Sequence, residues 1–171
     1  MKKITLLVCL ALLLQNCALF RSPPKLPEKN IKVVVLPFTT RGPNVSNRTG
    51  YIAADKLTSF LFVKKKMRVV DRSLVNHTLN RKSIDNVYFL SQQELVEIAD
   101  TLNASVVVLG LLENRTLQQD MFASQNIITV TLRFLAGDSG ETLQIVYETQ
   151  KTDLKPLLVL DEFLETMVDK L

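Results

Sequence analysis

The 171-residue sequence contains no tryptophan, a single histidine and only two cysteines. Without tryptophan and without a cluster of other aromatic side chains, it lacks the platform on which sugars or nucleic-acid bases stack. The one histidine, His77, lies in a polar segment and has no second histidine at metal-binding or catalytic spacing, so we interpret it as a surface residue. We therefore expect no nucleic acid, no metal and no small-molecule substrate among the partners.

Sequence motifs of the common enzyme classes are also missing. No Gly-x-Ser-x-Gly, His-x-x-x-His or dinucleotide-binding glycine fingerprint occurs. Gly42 and Gly50 border a loop that lacks the Gly-Lys-Ser/Thr ending of a phosphate-binding loop. Asp55 and Asp71 are candidates for paired acids, but their positions fit a solvated helix residue and a helix cap better. We expect a protein that is not an enzyme and that has no catalytic residues and no cofactor.

Both cysteines lie within the first seventeen residues, in a segment typical of secreted proteins. Two lysines are followed by an uncharged apolar run over Ile4–Leu14, and Cys17 comes three residues later. This pattern describes a secretory signal peptide, and the run is shorter than the roughly 20 apolar residues that span a bilayer. It resembles the lipobox of bacterial lipoproteins, although Asn16 and Gln15 are atypical in the positions before the cysteine.

The lipobox interpretation makes residues 1–16 a signal peptide and Cys17 the lipid-attachment site of a bacterial envelope protein. Two or three acyl chains anchor a protein stably, because each buried methylene contributes about 0.8 kcal/mol. The alternatives are an uncleaved anchor or an ordinary signal peptide. Cys9 would be lost on cleavage, which leaves no disulfide and no cysteine metal site. Ala18, where aspartate resembles an inner-membrane retention signal, favours the outer membrane.

After Cys17 the chain continues with a proline-rich tether, so that residues 17–30 link the lipid to a folded domain. Three prolines between Leu19 and Asn30 exclude a helix or a central strand. At about 3.1 Å per residue, a dozen extended residues reach roughly 40 Å. Residues 31–171 are predicted to form one domain with a sizeable core. Cleavage would leave 19 basic and 17 acidic side chains, a balance that does not indicate nucleic-acid binding.

The first half of this domain alternates between predicted strands and helices. Uninterrupted β-branched runs at Ile31–Phe38 and Ser105–Leu112 are typical of strands buried on both faces. Thr39–Arg48 is predicted to be a polar loop. Apolar residues at spacings of three and four predict a helix over Thr49–Lys64, and Met67–Val70 is predicted to be a short strand.

Helices and irregular segments are predicted to fill the middle of the chain. Asp71 is expected to cap a weak helix with Leu74, Val75 and Leu79 on its inner side. Arg81–Leu90 is expected to be irregular, and the capping box at Ser91–Glu94 begins a helix that packs through one apolar face. Glu113–Ser124 has a variable pattern, which leaves open a loop or an extended edge.

The last third predicts a hairpin followed by a helix. Asn126–Ala136 and Thr142–Gln150 alternate between polar and apolar residues on either side of a glycine-containing turn. In the second strand Leu143, Ile145 and Tyr147 share one face. Pro156 begins a C-terminal helix with an apolar stripe. The predicted fold class is therefore α/β (α+β): a mixed sheet of about five strands with helices packed on it.

Five segments in this order resemble the CsgG, LpoB and FlgO group of bacterial lipoproteins over about Ile31 to Tyr147. They are Val33–Phe38, Ile52–Thr58, Arg68–Leu74, Ala104–Gly110 and Arg133–Glu141. The group includes a secretion channel, an activator of peptidoglycan synthases and a lipoprotein tied to flagellar outer-membrane rings. The resemblance implies binding and assembly rather than catalysis. It implies a periplasm-facing adaptor or assembly factor that binds another envelope protein; the alternative is a structural subunit of an oligomeric outer-membrane ring, which binds copies of itself.

Two surfaces are candidates for contacts with a partner. One lies around Phe62, Lys64 and Lys66, where a dense basic run either ends a helix or meets anionic lipid or an acidic partner. The other is Tyr88-Phe89-Leu90, which the sequence leaves open between surface and core. Arg72 is expected to pair with a carboxylate across the sheet.

Overall fold

The computed structural model describes residues 31–118 and 124–171. The predicted signal peptide (1–16), Cys17 and the tether (17–30) lie outside the described residues, so their assignments remain predictions. Six strands and four α-helices are described: β1 (Lys32–Val35), β2 (Thr39–Arg41), α1 (Asn47–Lys65), β3 (Arg68–Val69), α2 (Arg72–Arg81), α3 (Gln92–Thr101), β4 (Val106–Gln118), β5 (Ser124–Ala136), β6 (Thr142–Thr152) and α4 (Pro156–Asp169).

The strands form one mixed sheet in the order β3-β1-β4-β5-β6. β1 runs parallel to β3 and β4, whereas β4, β5 and β6 form an antiparallel meander. β2 pairs with β4 beyond the end of β1, with Thr39 opposite Leu111. The predicted mixed sheet with packed helices is thus confirmed, with six strands where about five were expected.

Pro37 explains why the strand predicted over Ile31–Phe38 ends at Val35 and why a second strand begins at Thr39. Leu36 still donates its N–H to Val108 O at 3.0 Å, but Pro37 has no N–H, and Phe38 donates to Gly50 O at 3.2 Å instead of to the sheet. The chain returns to β4 only at Thr39. The predictions of one strand over Ile31–Phe38 and of a loop beginning at Thr39 were therefore wrong at this point.

One face of the sheet is covered along its whole width. α1 and α4 pack against alternate side chains of β1, β4, β5 and β6, which include Val35, Val108, Phe134 and Val146. α4 packs against the sheet through the apolar stripe that the sequence predicts, in which Phe163 is fully buried. Burial of these side chains is the main favourable term in folding.

The opposite face is covered only over β3, β1 and the first part of β4. There α2 and α3 pack on Val34, Leu36 and Val107, and Leu135 of β5 is the last strand residue that they enclose. Val75 and Leu79 of α2 are buried as predicted, but Leu74 is exposed, because it lies on the solvent side of that helix.

Local sequence signals account for the helix ends. Ser46 and Ser91 form capping boxes with Thr49 and Glu94 at the start of α1 and α3. Asp71 caps α2 as predicted, accepting a hydrogen bond from the N–H of Ser73 at 2.8 Å. Such caps satisfy backbone donors that a helix leaves unpaired in its first turn.

β4 and β5 continue beyond the rest of the sheet as a long hairpin. β2 ends opposite Glu113, but β4 pairs with β5 as far as Gln118 opposite Ser124. Of the two alternatives for Glu113–Ser124, the extended one is therefore correct as far as Gln118. Among the described residues, no helix is long and apolar enough to cross a membrane.

Candidate functional site

On the side of the sheet that carries α2 and α3, these helices leave the β5–β6 half uncovered, and we call the surface exposed there the open face. It consists of the side chains on the α2–α3 side of the sheet that lie beyond Val107 and Leu135. Two of them are strongly exposed although apolar: Ile145 is 56% exposed and Tyr147 is 71% exposed. The other members are Leu109, Leu111, Glu113, Arg115, Leu117, Gln125, Ile127, Thr129, Thr131, Arg133, Thr149 and Lys151.

The register arranges these side chains in rows that cross the three strands. Leu109, Arg133 and Ile145 form the row nearest to α3, and Leu111, Thr131 and Tyr147 form the next. Neighbouring strands lie about 4.8 Å apart, so side chains within one row are in reach of a single ligand group. The two rows place apolar groups on both sides of one arginine.

A groove of about 420 Å³ runs between the open face and the segment that leads into α3. Tyr88, Leu90 and Gln92 form one wall, and Leu109 and Arg133 belong to the other. The groove is continuous with the exposed side chains of β6, because Arg133 in its wall lies directly opposite Ile145 in the strand register.

The turn between β5 and β6 closes one end of the groove. Gln92 donates from Nε2 to Ser139 O at 2.6 Å. Gly140 has a φ of 69°, and a Cβ there would lie 2.7 Å from Gln92 Cγ. Both the left-handed conformation and the close approach of the Gln92 side chain favour glycine at this position.

The aromatic wall of the groove is held in place by its neighbours. Val87–Phe89 form a 3₁₀ turn in which the Tyr88 N–H donates to Asn86 Oδ1 at 2.9 Å. The guanidinium of Arg41 lies 4.4 Å from the centroid of the Tyr88 ring, a cation–π contact. The Tyr88 and Phe89 rings meet edge to face at 5.2 Å. Tyr88 and Phe89 are exposed and Leu90 packs on the core, which resolves the alternative that the sequence left open.

The open face carries more positive than negative charge that is free for a partner. Glu113 is already paired with Arg41, at 3.9 Å. Arg115, Arg133 and Lys151 have no hydrogen bond or ion pair with any described residue. Unpaired cations beside exposed apolar groups are typical of interaction surfaces rather than of cores.

The base of the projecting hairpin is fixed from the covered side. Asn114 Nδ2 donates to Pro43 O at 2.8 Å and to Asn126 Oδ1 at 3.2 Å, and Asn126 Nδ2 donates to Leu154 O at 3.2 Å. These bonds tie the hairpin to the chain segments before α1 and α4. These hydrogen bonds hold the part of the open face around Arg115 and Ile127 in place, and such preorganisation favours binding.

In the basic run at the end of α1, Lys64 is the residue whose side chain pairs with other described residues. Lys64 pairs with Glu165 at 2.6 Å and with Asp169 at 3.1 Å, both on α4. The hydrogen bond with Glu165 is the largest cause of a raised pKa for Lys64. Lys66 is the C-cap and adopts a left-handed conformation with φ 55°. The contacts of Lys64 favour the helix-end interpretation for that residue, whereas the side chains of Lys66 and Phe62 are exposed.

The candidate acids and the histidine are not brought together. Asp55 pairs with Arg72 at 2.7 Å, and the same guanidinium also donates to Val35 O, so the predicted pairing of Arg72 across the sheet is confirmed. The hydroxyl and N–H of Ser73 hold the pKa of Asp71 below its usual value. His77 is exposed on α2. Residues 31–118 and 124–171 contain no group of three or more potential metal-ligating side chains.

Sequence reasoning missed the central members of this surface, Arg133, Ile145 and Tyr147. The alternation in β6 was recognised, and Ile145 and Tyr147 do share a face. That face is the exposed one, and Val146 points into the core instead. A β-bulge opposite Phe134 and Leu135 also separates Leu143, which is partly buried against the core, from the other two.

Comparison with solved structures finds the same fold in bacterial proteins. Lipoprotein GNA1162 from Neisseria meningitidis has a TM-score of 0.60 and 14% identity, over 82% of this chain and 96% of that one. The LpoB C-terminal domain from Salmonella enterica has a TM-score of 0.53 and 10% identity, over 71% and 82%. A PelC dodecamer from Paraburkholderia phytofirmans has 0.53 and 17%, over 88% and 95%.

The comparisons establish the fold of this protein but not its family. No protein-family model matches the sequence, and no curated protein matches it either. At such low identities, the structural similarity shows the fold alone. The chain has the fold of LpoB-like structures; the resemblance of its sequence to CsgG and FlgO remains a prediction.

Proposed function

We propose that this protein is a non-catalytic bacterial envelope lipoprotein, anchored through Cys17, that acts as an adaptor or assembly factor by binding another envelope protein. The observation that carries the proposal is the open face, where exposed Ile145 and Tyr147 adjoin a groove with an aromatic wall. Two proteins of similar fold are named as a lipoprotein and as LpoB, and these names support the proposal. The tether would let the domain reach its partner away from the membrane.

The anchor and the binding surface are tested separately. Mass spectrometry of the amino terminus of membrane-extracted protein should find acyl chains on Cys17. Cys17→Ser should release the protein from membranes. An unmodified Cys17, or a Cys17→Ser variant that stays membrane-bound after a salt wash, would contradict the anchor.

Site-specific photo-crosslinking in intact cells tests the surface. A photoreactive residue replaces Tyr147 on the open face, and in a matched variant it replaces Phe62 on α1, which is 59% exposed. We expect a discrete crosslink to another envelope protein from position 147 and none from position 62. Crosslinks from position 62 only, or from neither position, would contradict binding through the open face.

A structural subunit of an oligomeric ring is the second candidate. A protein with this fold, PelC, is described as a dodecamer, and no described strand pairs with the outer edge of β6. Unpaired strand edges are sites where copies of a chain can join. Sedimentation of the chain from residue 17 with Cys17→Ser tests this candidate: a strict monomer at high concentration would remove it.

A further inference from the structure

We infer that the open face binds an acidic segment of a partner protein, one that carries carboxylates at its two ends and apolar side chains between them. This inference rests on the proposed function and specifies the partner that such an adaptor would recognise. It is carried by the positions of three cations that have no partner among the described residues and that lie among apolar side chains on one face of the sheet.

The apolar component of the partner follows from the exposed side chains. Ile145 and Tyr147 project from the same side of β6, and Leu109 and Tyr88 continue the apolar surface into the groove. Contiguous apolar surface rimmed by polar groups marks a site of interaction. A purely charged ligand would leave this surface in water, so the partner must bring apolar groups of its own.

The acidic component follows from the arginines and the lysine. Arg133 lies between Leu109 and Ile145, and neither it nor Arg115 nor Lys151 has a partner among the described residues. A guanidinium can bind a carboxylate through two parallel hydrogen bonds, which makes arginine effective in partly desolvated contacts. The preferred ligand groups are therefore carboxylates of aspartate or glutamate.

The register also sets the spacing of these carboxylates. Arg115 and Lys151 flank Ile127 in one row, six residues along β5 from Arg133. At about 3.4 Å per residue, the two cationic positions are roughly 20 Å apart. Leu111 and Tyr147 lie between them. An extended partner segment should thus carry acidic groups at its two ends and apolar side chains in the middle.

Two other occupants fit this surface less well. A second copy that met the open face with its own open face would bring the cations of both copies together, which like-charge repulsion disfavours. A small molecule confined to the 420 Å³ groove would leave Ile145 and Tyr147 exposed, since neither lines the groove. The acidic, apolar segment is the occupant that uses the whole surface.

The test begins with the full-length protein in intact cells. A photoreactive residue at position 145 is crosslinked, and the attached peptide is mapped by mass spectrometry. We expect a segment that is rich in aspartate or glutamate and contains apolar residues. A segment without carboxylates would overturn the inference while leaving the proposed adaptor function intact. A crosslink to a second copy, or no protein crosslink, would overturn both the inference and binding through this face.

Charge reversal then measures the contribution of Arg133. A synthetic peptide with the mapped sequence is titrated against the chain from residue 17 with Cys17→Ser. Arg133→Glu should weaken binding on the order of tenfold or more. Arg68→Glu changes the charge equally on β3, at the opposite edge of the sheet, and should leave affinity unchanged. Replacing the facing carboxylate of the peptide by lysine should restore binding to Arg133→Glu.

A lipid arm separates an acidic protein from an acidic membrane. The Cys17→Ser chain is sedimented with vesicles of phosphatidylcholine containing phosphatidylglycerol, and with phosphatidylcholine alone. We expect no sedimentation that depends on Arg133. Sedimentation with the anionic vesicles that Arg133→Glu abolishes, or equal peptide affinity of Arg133→Glu and the unmodified surface, would overturn the inference.

Discussion

The two halves of the sheet differ both in the length of their strands and in the number of faces that they bury. β1 and the start of β4 are buried on both sides, between α1 and α4 on one face and α2 and α3 on the other. β5 and β6 bury one side and leave the other open. The difference is visible in composition: Val33–Leu36 is continuously apolar, whereas Asn126–Phe134 alternates.

Because the side chains on the open face contribute little to the core, they are free to serve recognition. In the doubly buried half, almost any polar substitution would disturb packing. In the open half, residues such as Arg133 and Tyr147 can change with little effect on folding. Function is thus expected where the second layer of helices is missing, and stability where it is present.

The largest contrast should appear between adjacent residues of β5. Phe134 is fully buried on the covered side, whereas Arg133 is exposed on the open face. Phe134→Ala should lower the free energy of unfolding by about 3–5 kcal/mol, because it removes buried apolar surface and leaves a cavity. Arg133→Ala should change it by no more than about 0.5 kcal/mol. Urea denaturation of both variants measures the difference.

The same pair of variants also separates folding from binding. Arg133→Ala should fold normally and yet lose crosslinking from position 145, since that crosslink depends on the open face. Equal losses of stability in Phe134→Ala and Arg133→Ala would contradict the distinction between the two faces.

Gly110 lies at the boundary between the two kinds of surface. On the covered side, a Cβ at this position would lie 2.3 Å from the ring of Phe38. Gly110→Ala should therefore lower stability by an amount in the upper part of the about 1–3 kcal/mol range for overpacking. Combining it with Phe38→Leu should recover part of that loss in thermal unfolding. Unchanged stability of Gly110→Ala would show that the sheet shifts to accommodate the added methyl group.

Much of this architecture could be predicted, because burial on both faces leaves a strong mark in the sequence. The runs around Val33–Val35 and Val106–Val108, the capping box at Ser91 and the stripe of α4 were correctly identified. β2 was missed because its three residues, Thr39–Arg41, are too few to show a periodic pattern. The extension of β4 to Gln118 was left undecided because exposed hairpins do not need apolar alternation.

The candidate site was harder to predict than the fold. Alternation in β6 separates Val146 from Ile145 and Tyr147, but it cannot say which face α4 will cover. In this protein the side with the larger apolar groups is the exposed one. Such an inversion becomes visible only when the neighbouring elements are in place, which is why Phe62 and Tyr88 were proposed from the sequence and Tyr147 was not.

Substitutions of Arg72 and Asp55 measure how much their ion pair stabilises the doubly buried half of the sheet at the end of β1. Its guanidinium is mostly buried, pairs with Asp55 and donates to Val35 O, whereas Asp55 is exposed. Arg72→Ala should cost about 1–2 kcal/mol, because a backbone carbonyl loses a charge-assisted donor. Asp55→Ala should cost about 0–1 kcal/mol, since exposed ion pairs contribute little. Chemical denaturation of both variants and of the double variant gives the coupling between them.

The smallest effect is expected at the capping box that begins α3, beside the groove. The N–H of Ser91 and then its hydroxyl hold the pKa of Glu94 below its ordinary value of 4.5. A lowered folded-state pKa means that this carboxylate stabilises the fold above about pH 4.5. That contribution is lost as the pH falls through the lower folded-state value. The urea midpoint of Glu94→Gln should therefore depend less on pH between 5 and 3 than the urea midpoint of the unmodified chain does.

A matched control makes this small effect measurable. Glu162→Gln on α4 removes the same charge at an exposed position that has no ion pair with a described residue, and it serves as the control. Equal pH dependence in Glu94→Gln and the unmodified chain would mean that the cap does not discriminate between the charged and neutral carboxyl. A reduced slope with unchanged peptide binding at pH 7 would show that α3 can be weakened at its start without deforming the groove, because Gln92 and Gly140 hold that wall independently of the cap.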